Sequence, residues 1–183
     1  MTFNPQGEIL IRKASLKDAS AVSRVHVDSW RETYYWILPA KFLKGLSYDD
    51  WEKTWKSVLS DSSVDVHVVQ EKNDSIGGFV AVGPLREAIQ GFNGELYAIY
   101  LLKRLQGLGY GKRLFETGVR SLIEDGVKSM ALWVLRDNPT CGFYEHMGGA
   151  IVGEKTIQIA GQDYVDIAYG WKRLNTGSIR AGT

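Results

Sequence analysis

One stretch constrains this chain more than any other: ELYAIYLL (95–102), then KRLQGLGYGKR (103–113), an amphipathic run to Asp125, and SMALWVLR (129–136). The two apolar runs have strand length and little polar interruption, the mark of strands buried on both faces. Between them Phe115, Val119, Leu122 and Ile123 fall on one face of a helix over 111–125, with Gly126 at the C-cap position. Strand, helix and strand in this order make a βαβ unit, so the two strands lie parallel in one sheet.

The flanking sequence adds antiparallel strands and further helices. EILIRK (8–13) reads as a first strand, after which Ser15 and Asp18 stand in capping-box positions ahead of a helix with Ala19, Val22, Val25, Val27 and Trp30. Pro39 opens a second helix, and Asp49 and Asp50 start a third that carries Trp51, Trp55 and Leu59. VDVHVVQ (64–70) and IGGFVAVG (76–83) form a hairpin across Asn73-Asp74-Ser75. Asp137 or Asn138 is expected to cap a last helix with Pro139 at its first position, ending at Gly148-Gly149. Strands 150–160 and 163–171 flank Gly161. The expected architecture is a single α/β domain over 1–174 with a flexible tail at 175–183.

Composition narrows the function classes. At 183 residues the chain can bury a full core, and 22 basic against 21 acidic side chains leave no surplus for non-specific nucleic-acid binding. No run approaches the ~20 apolar residues of a membrane span. One cysteine, Cys141, and the absence of a signal-peptide pattern point to a cytoplasmic protein. His26, His67 and His146 lack metal-ligand spacing, so no metal centre is expected.

The glycine turn is an anion site in prospect. Gly107, Gly109 and Gly111 let backbone approach a ligand, and the following helix offers unpaired N–H groups and its positive dipole end. Lys103, Arg104, Lys112 and Arg113 add positive charge. The dinucleotide fingerprint fails, because Lys112 or Leu114 stands where its last glycine belongs. The P-loop pattern fails at Gln106 and Arg113.

A third pattern, Gln/Arg-x-x-Gly-x-Gly/Ala, is met by Gln106, Gly109 and Gly111. With IYL (99–101) before it and NPTCGFYEHMGG (138–149) after the next strand, the chain resembles the GNAT (Gcn5-related) N-acetyltransferases. The resemblance covers nearly the whole chain. It implies a mixed sheet of about seven strands flanked by helices, with a parallel central pair. It implies acetyl-CoA as co-substrate, held by backbone at Ile99, Tyr100 and Leu101 along its pantetheine arm. Gln106, Gly107, Leu108, Gly109, Tyr110, Gly111 and Lys112 would surround its pyrophosphate. Asn138 would touch its arm, and Tyr144 would stand beside its sulfur. The N–H of Leu101 would face the thioester carbonyl and stabilise a developing oxyanion.

The chemistry sets two further requirements. An alkyl ammonium with a pKa near about 10.4 must lose a proton before it attacks, and the leaving thiolate must gain one. Glu95, six residues before Leu101, is the candidate base, directly or through water, its even spacing placing both on one face of the strand. Tyr144 is the candidate acid. Trp30 and Tyr34 with Asp28 and Glu32 form a candidate site for a cationic acceptor. The acceptor is a small-molecule amine or a peptide N-terminus, and the protein a monomer or homodimer. The alternative is a non-catalytic acyl-CoA-binding sensor or interaction domain.

Overall fold

The chain folds as β1 (Leu10–Lys13), α1 (Ala19–Thr33), α2 (Ala40–Gly45), α3 (Tyr48–Ser60), β2 (Asp65–Gln70), β3 (Ile76–Gly83), β4 (Gly94–Leu101), α4 (Tyr110–Glu124), β5 (Met130–Leu135), α5 (Cys141–His146), β6 (Ala150–Ile159) and β7 (Gln162–Trp171). The computed structural model describes residues 9–175. Glu8 of the expected first strand, and all of the expected tail beyond Asn175, lie outside the described residues.

Local chemistry explains most boundaries. The Asp18 carboxylate accepts from the Ser15 N–H at 2.7 Å and the Ser15 hydroxyl at 3.0 Å, closing a short 3₁₀ turn that runs into α1. Arg12 on β1 clamps the same carboxylate at 2.8 and 2.9 Å, which holds its pKa down to about 2. Ser47 caps α3, its hydroxyl accepting from the Asp50 N–H at 3.3 Å. Gly126 closes α4 with φ of 79°. The β6–β7 hairpin turns on Ala160 and Gly161, both left-handed, as a two-residue turn matched to strand twist requires.

The last helix starts later than the sequence pattern suggests. The Asn138 side chain accepts from the Thr140 N–H at 2.8 Å, forming a turn over Pro139, and α5 begins only at Cys141. Asn138 bonding two residues ahead favours a turn over a helical cap.

All seven strands join one mixed sheet in the order β1-β2-β3-β4-β5-β7-β6. Every neighbouring pair is antiparallel except β4 and β5, which run parallel as the βαβ unit requires. Leu114, Phe115, Val119 and Leu122 of α4 bury against Val80, Val82, Leu96 and Leu132 on one face of the sheet. Ala19, Val22 and Val25 of α1 and Trp55 of α3 cover Phe79 and Ala81 on the other.

Two irregularities interrupt the centre of the sheet. β4 and β5 pair only at Gly94–Met130 and Glu95–Ala131, then part toward their C-terminal ends. On its other edge β4 carries a bulge. Ala98 lies opposite Ala81 and Leu96 opposite Val82, so Tyr97 is an extra residue without a partner on β3.

Candidate active site

The parting of β4 and β5 opens a cleft of about 440 Å³ through the sheet. Its walls include Leu96 to Leu101 of β4, Leu132 to Val134 of β5, Phe143 and Tyr144 of α5, and Ser29, Thr33 and Tyr34 at the end of α1. Gln106, Gly107, Gly109, Gly111 and Lys112 line it at the glycine turn. Sequence-distant candidates therefore meet in one place: Ile99, Tyr100, Leu101, the glycine turn, Asn138 and Tyr144.

The turn owes its shape to glycine. Gly107 has φ of 72° and Gly109, the residue before α4, has φ of 83°. A Cβ there would be strained by the backbone alone, since no atom lies within 4 Å of either position. The first N–H groups of α4 have no intrahelical carbonyl, and Gly111 and Lys112 of that first turn line the cleft. The Gln106 Nε2 donates to the Leu101 carbonyl at 2.8 Å, tying the turn to the end of β4. Leu108 is exposed on the outside of the turn, and the Tyr110 ring packs in the core. Neither side chain lines the cleft, so only their backbone could serve a ligand there.

Tyr144 is buried against Phe143 and Tyr169 while lining the cleft. Burial, then the neighbouring Tyr34, raises its pKa, so its phenol stays protonated and able to donate. Asn138 is committed within the protein. Its Nδ2 donates to the Tyr34 hydroxyl at 2.9 Å, and its Oδ1 accepts from the N–H and hydroxyl of Thr140.

Glu95 is not on the face that even spacing implies. The bulge at Tyr97 inserts one residue between Glu95 and Leu101, which flips the alternation. Leu101 shares a face with Ile99 and Leu96, against α4. Glu95 shares a face with Ala98 and Tyr100, toward α1 and α3. It is 2% exposed and does not line the cleft. Its Oε2 accepts from the Arg86 N–H at 2.8 Å and its Oε1 from the Arg86 Nε at 3.1 Å and from Nη2. Arg86 in turn lies over the Tyr97 ring, 4.4 Å from its centre.

The four expected acceptor residues separate into two groups. Trp30 and Tyr34 face inward, the Trp30 Nε1 donating to the Tyr100 hydroxyl at 2.7 Å. Asp28 and Glu32 line a different, open recess with Arg31, Lys103 and Arg104, and the Asp28 carboxylate accepts from the Tyr48 hydroxyl at 2.6 Å. The helix explains the split, because 100° per residue turns positions 28 and 32 away from the side that carries 26, 30 and 34.

Sequence patterns also left residues unnamed. Arg86 sits in an irregular loop with no periodicity to mark it. Asp166 on β7 is 9% exposed, and among the described residues its side chain has no hydrogen bond or ion pair. Burial pushes its carboxyl up, and an acid inside the apolar run VDIAYGW was its visible signal. A chamber of about 600 Å³ lies beneath α1 and α3, walled by His26, Trp30, Trp51, Trp55, Tyr97 and Tyr100 among others.

Comparison with known proteins gives the family and the fold. Residues 27–149 match the acetyltransferase (GNAT) family. An uncharacterized N-acetyltransferase, YuaI of Bacillus subtilis (strain 168), is 39% identical over 167 residues, spanning 91% of this chain and 95% of that protein. The PaiA N-acetyltransferase from Thermoplasma acidophilum, crystallised with coenzyme A, superposes with a TM-score of 0.63 at 20% identity, covering 87% of this chain and 98% of that one. A ribosomal-protein-alanine N-acetyltransferase from Brucella melitensis gives a TM-score of 0.68 at 19% identity, covering 88% and 98%. The last two likenesses speak for the fold, the first two for descent. The chain belongs to the GNAT family of acetyl-CoA-dependent N-acetyltransferases.

Proposed function

We propose that the enzyme transfers acetyl from acetyl-CoA to a primary amine by direct attack, with both substrates bound together. The observation that carries this reading is the cleft itself, which crosses the sheet with the glycine turn and Tyr144 among its walls and Tyr34, Ser29 and Thr33 at its α1 side. A thioester in the cleft would meet an amine arriving from the α1 face without a covalent enzyme intermediate. Cys141, the one thiol, does not line it.

In this reading backbone from Ile99 to Leu101 holds the pantetheine arm, with the Leu101 N–H at the thioester oxygen. The turn from Gly107 to Lys112 takes the pyrophosphate through N–H groups and the Lys112 charge. Asn138 positions Tyr34 and the turn before α5. The amine nitrogen bonds to the carbonyl carbon, the C–S bond breaks, and the Tyr144 hydroxyl supplies a proton to the departing sulfur. Glu95 takes the amine proton through a water, because Arg86 occupies its carboxylate and it does not line the cleft.

Thiol release from acetyl-CoA, measured against varied amine at several acetyl-CoA concentrations, tests the reading. Intersecting reciprocal plots and an acetylated amine by mass are expected. Parallel plots would point to an acetylated enzyme, and acetyl-CoA binding without thiol release on any amine would leave only a binding protein.

A further inference from the structure

We propose that the chamber beneath α1 and α3 binds the acceptor, and that this acceptor is an arylalkylamine, a primary amine on a short chain from a flat aromatic ring. The inference rests on the transferase reading above and names the substrate class of that site.

Position is the first argument. Tyr97, Ala98 and Tyr100 line both the chamber and the cleft, so a ligand in the chamber can extend an arm past β4 toward the thioester. A volume of about 600 Å³ falls in the range of pockets that hold small molecules.

The walls select for rings. His26 stacks on Trp51 with centres 3.8 Å apart and lies 5.1 Å from Tyr100 and 5.8 Å from both Trp30 and Trp55. These rings already pack on one another, and the faces and edges they leave toward the chamber suit a ligand ring in offset or edge-on contact. The charge pattern selects against polycations. The charged residues in the wall are Asp61 and Arg86. Asp61 accepts from the N–H and hydroxyl of Ser63, and Arg86 is held by Glu95. Both of those Asp61 bonds fall on Oδ1, so the wall offers one carboxylate with an open Oδ2, too little negative charge for the several ammonium groups of a polyamine.

His26 supplies an independent sign. Its Nδ1 accepts from the Trp55 Nε1 at 3.2 Å, so in the neutral ring the proton sits on Nε2. That Nε2 is buried and has no hydrogen-bond partner in the structure. A buried donor left unmet is costly and calls for a partner that the chain itself does not supply. The π face or an oxygen of an aromatic acceptor is the chemistry that would complete it.

The test uses 2-phenylethylamine, with hexylamine and spermidine as comparison amines, on the whole protein saturated with coenzyme A for binding or acetyl-CoA for turnover. Calorimetric titration should show 2-phenylethylamine binding more tightly than either comparison amine, and Trp51→Ala should weaken it by about tenfold while Trp51→Phe retains most of it. Acetyl-CoA affinity serves as the folding control for both variants. Turnover should favour 2-phenylethylamine by about tenfold in kcat/KM over hexylamine. Acetylation of spermidine or hexylamine with no binding of 2-phenylethylamine would overturn the inference and leave the transferase reading standing. Tight, Trp51-dependent binding without thiol release would keep the aromatic site and overturn the transferase reading for this acceptor. Absence of both binding and turnover with all three amines would also overturn the proposal.

Discussion

Glu95 and Leu101 sit on one strand and face opposite sides of the sheet, because Tyr97 stands between them as an unpaired extra residue. The strand thereby presents its terminal backbone to the cleft while Glu95 turns toward the helices of the opposite face. The carboxylate is buried there, accepts from the Arg86 backbone N–H, and has the Arg86 guanidinium as its counter-charge.

Removing that guanidinium leaves an uncompensated buried carboxylate. Arg86→Ala should therefore destabilise the protein by about 3 kcal/mol, near the lower end of the cost of breaking a buried pair, since Arg86 itself is largely exposed. Adding Glu95→Gln should recover part of the loss. Urea midpoints of the two singles and the double check this. In kinetics, Glu95→Gln alone should lower kcat by about a hundredfold with acetyl-CoA affinity unchanged.

Tyr144→Phe keeps the ring packing against Phe143 and Tyr169 and removes only the hydroxyl. Turnover should fall by about a hundredfold, while the Kd for acetyl-CoA stays within about a factor of two. Steady-state rates beside a direct titration separate the two effects. Unchanged turnover would remove Tyr144 as the acid.

Gly109 and Gly126 both need left-handed backbone, with φ of 83° and 79°. Alanine at either should cost about 1–2 kcal/mol through strain alone. Gly109→Glu should in addition abolish acetyl-CoA binding by placing a carboxylate at the anion turn, whereas Gly126→Ala should leave binding intact. Tm and acetyl-CoA titration of the three variants give the contrast. Full affinity in Gly109→Glu would sink the assignment of the turn.

Acid should unfold the protein in two windows. Burial holds His26 neutral, its pKa lowered to about 3, whereas the unfolded chain takes that proton near 6.5. Its share of stability is complete above pH 6.5 and falls as the pH drops toward 3. His67, also depressed by burial, adds to the same window. Asp18, held at about 2 by Arg12, contributes stability above pH 3.8 that is lost as the pH falls toward 2. Urea midpoints from about pH 7 to 3 should flatten between about 6.5 and 4 in His26→Phe, and only below about 4 in Asp18→Asn.

Asp166 carries the opposite sign. Burial raises its carboxyl pKa, so ionisation costs stability as the pH rises through the folded value. Asp166→Asn should raise Tm at about pH 7, with the gain vanishing below pH 3.8. Thermal melts at both ends of that range decide it.

Elements with local causes were legible in the chain alone. Apolar runs, the alternating β2–β3 hairpin, the Ser15–Asp18 cap and the glycines at 107, 109, 126 and 161 each act within a few residues of where they stand. The βαβ order then set the parallel pair, and motif spacing brought the glycine turn and Tyr144 to one cleft. Whatever depends on partners distant in the chain came only with packing. The bulge at Tyr97 reversed Glu95 because strand alternation holds only while pairing stays in register, and the register is set by β3. Asn138 was committed to Tyr34, 104 residues away, by a hydrogen bond that no local pattern encodes. Asp28 and Glu32 had the residue types for an acceptor site but lay on the wrong side of α1. The aromatic chamber exists only where α1, α3, β3 and β4 meet, since its walls come from separate elements and become a site only when those elements pack.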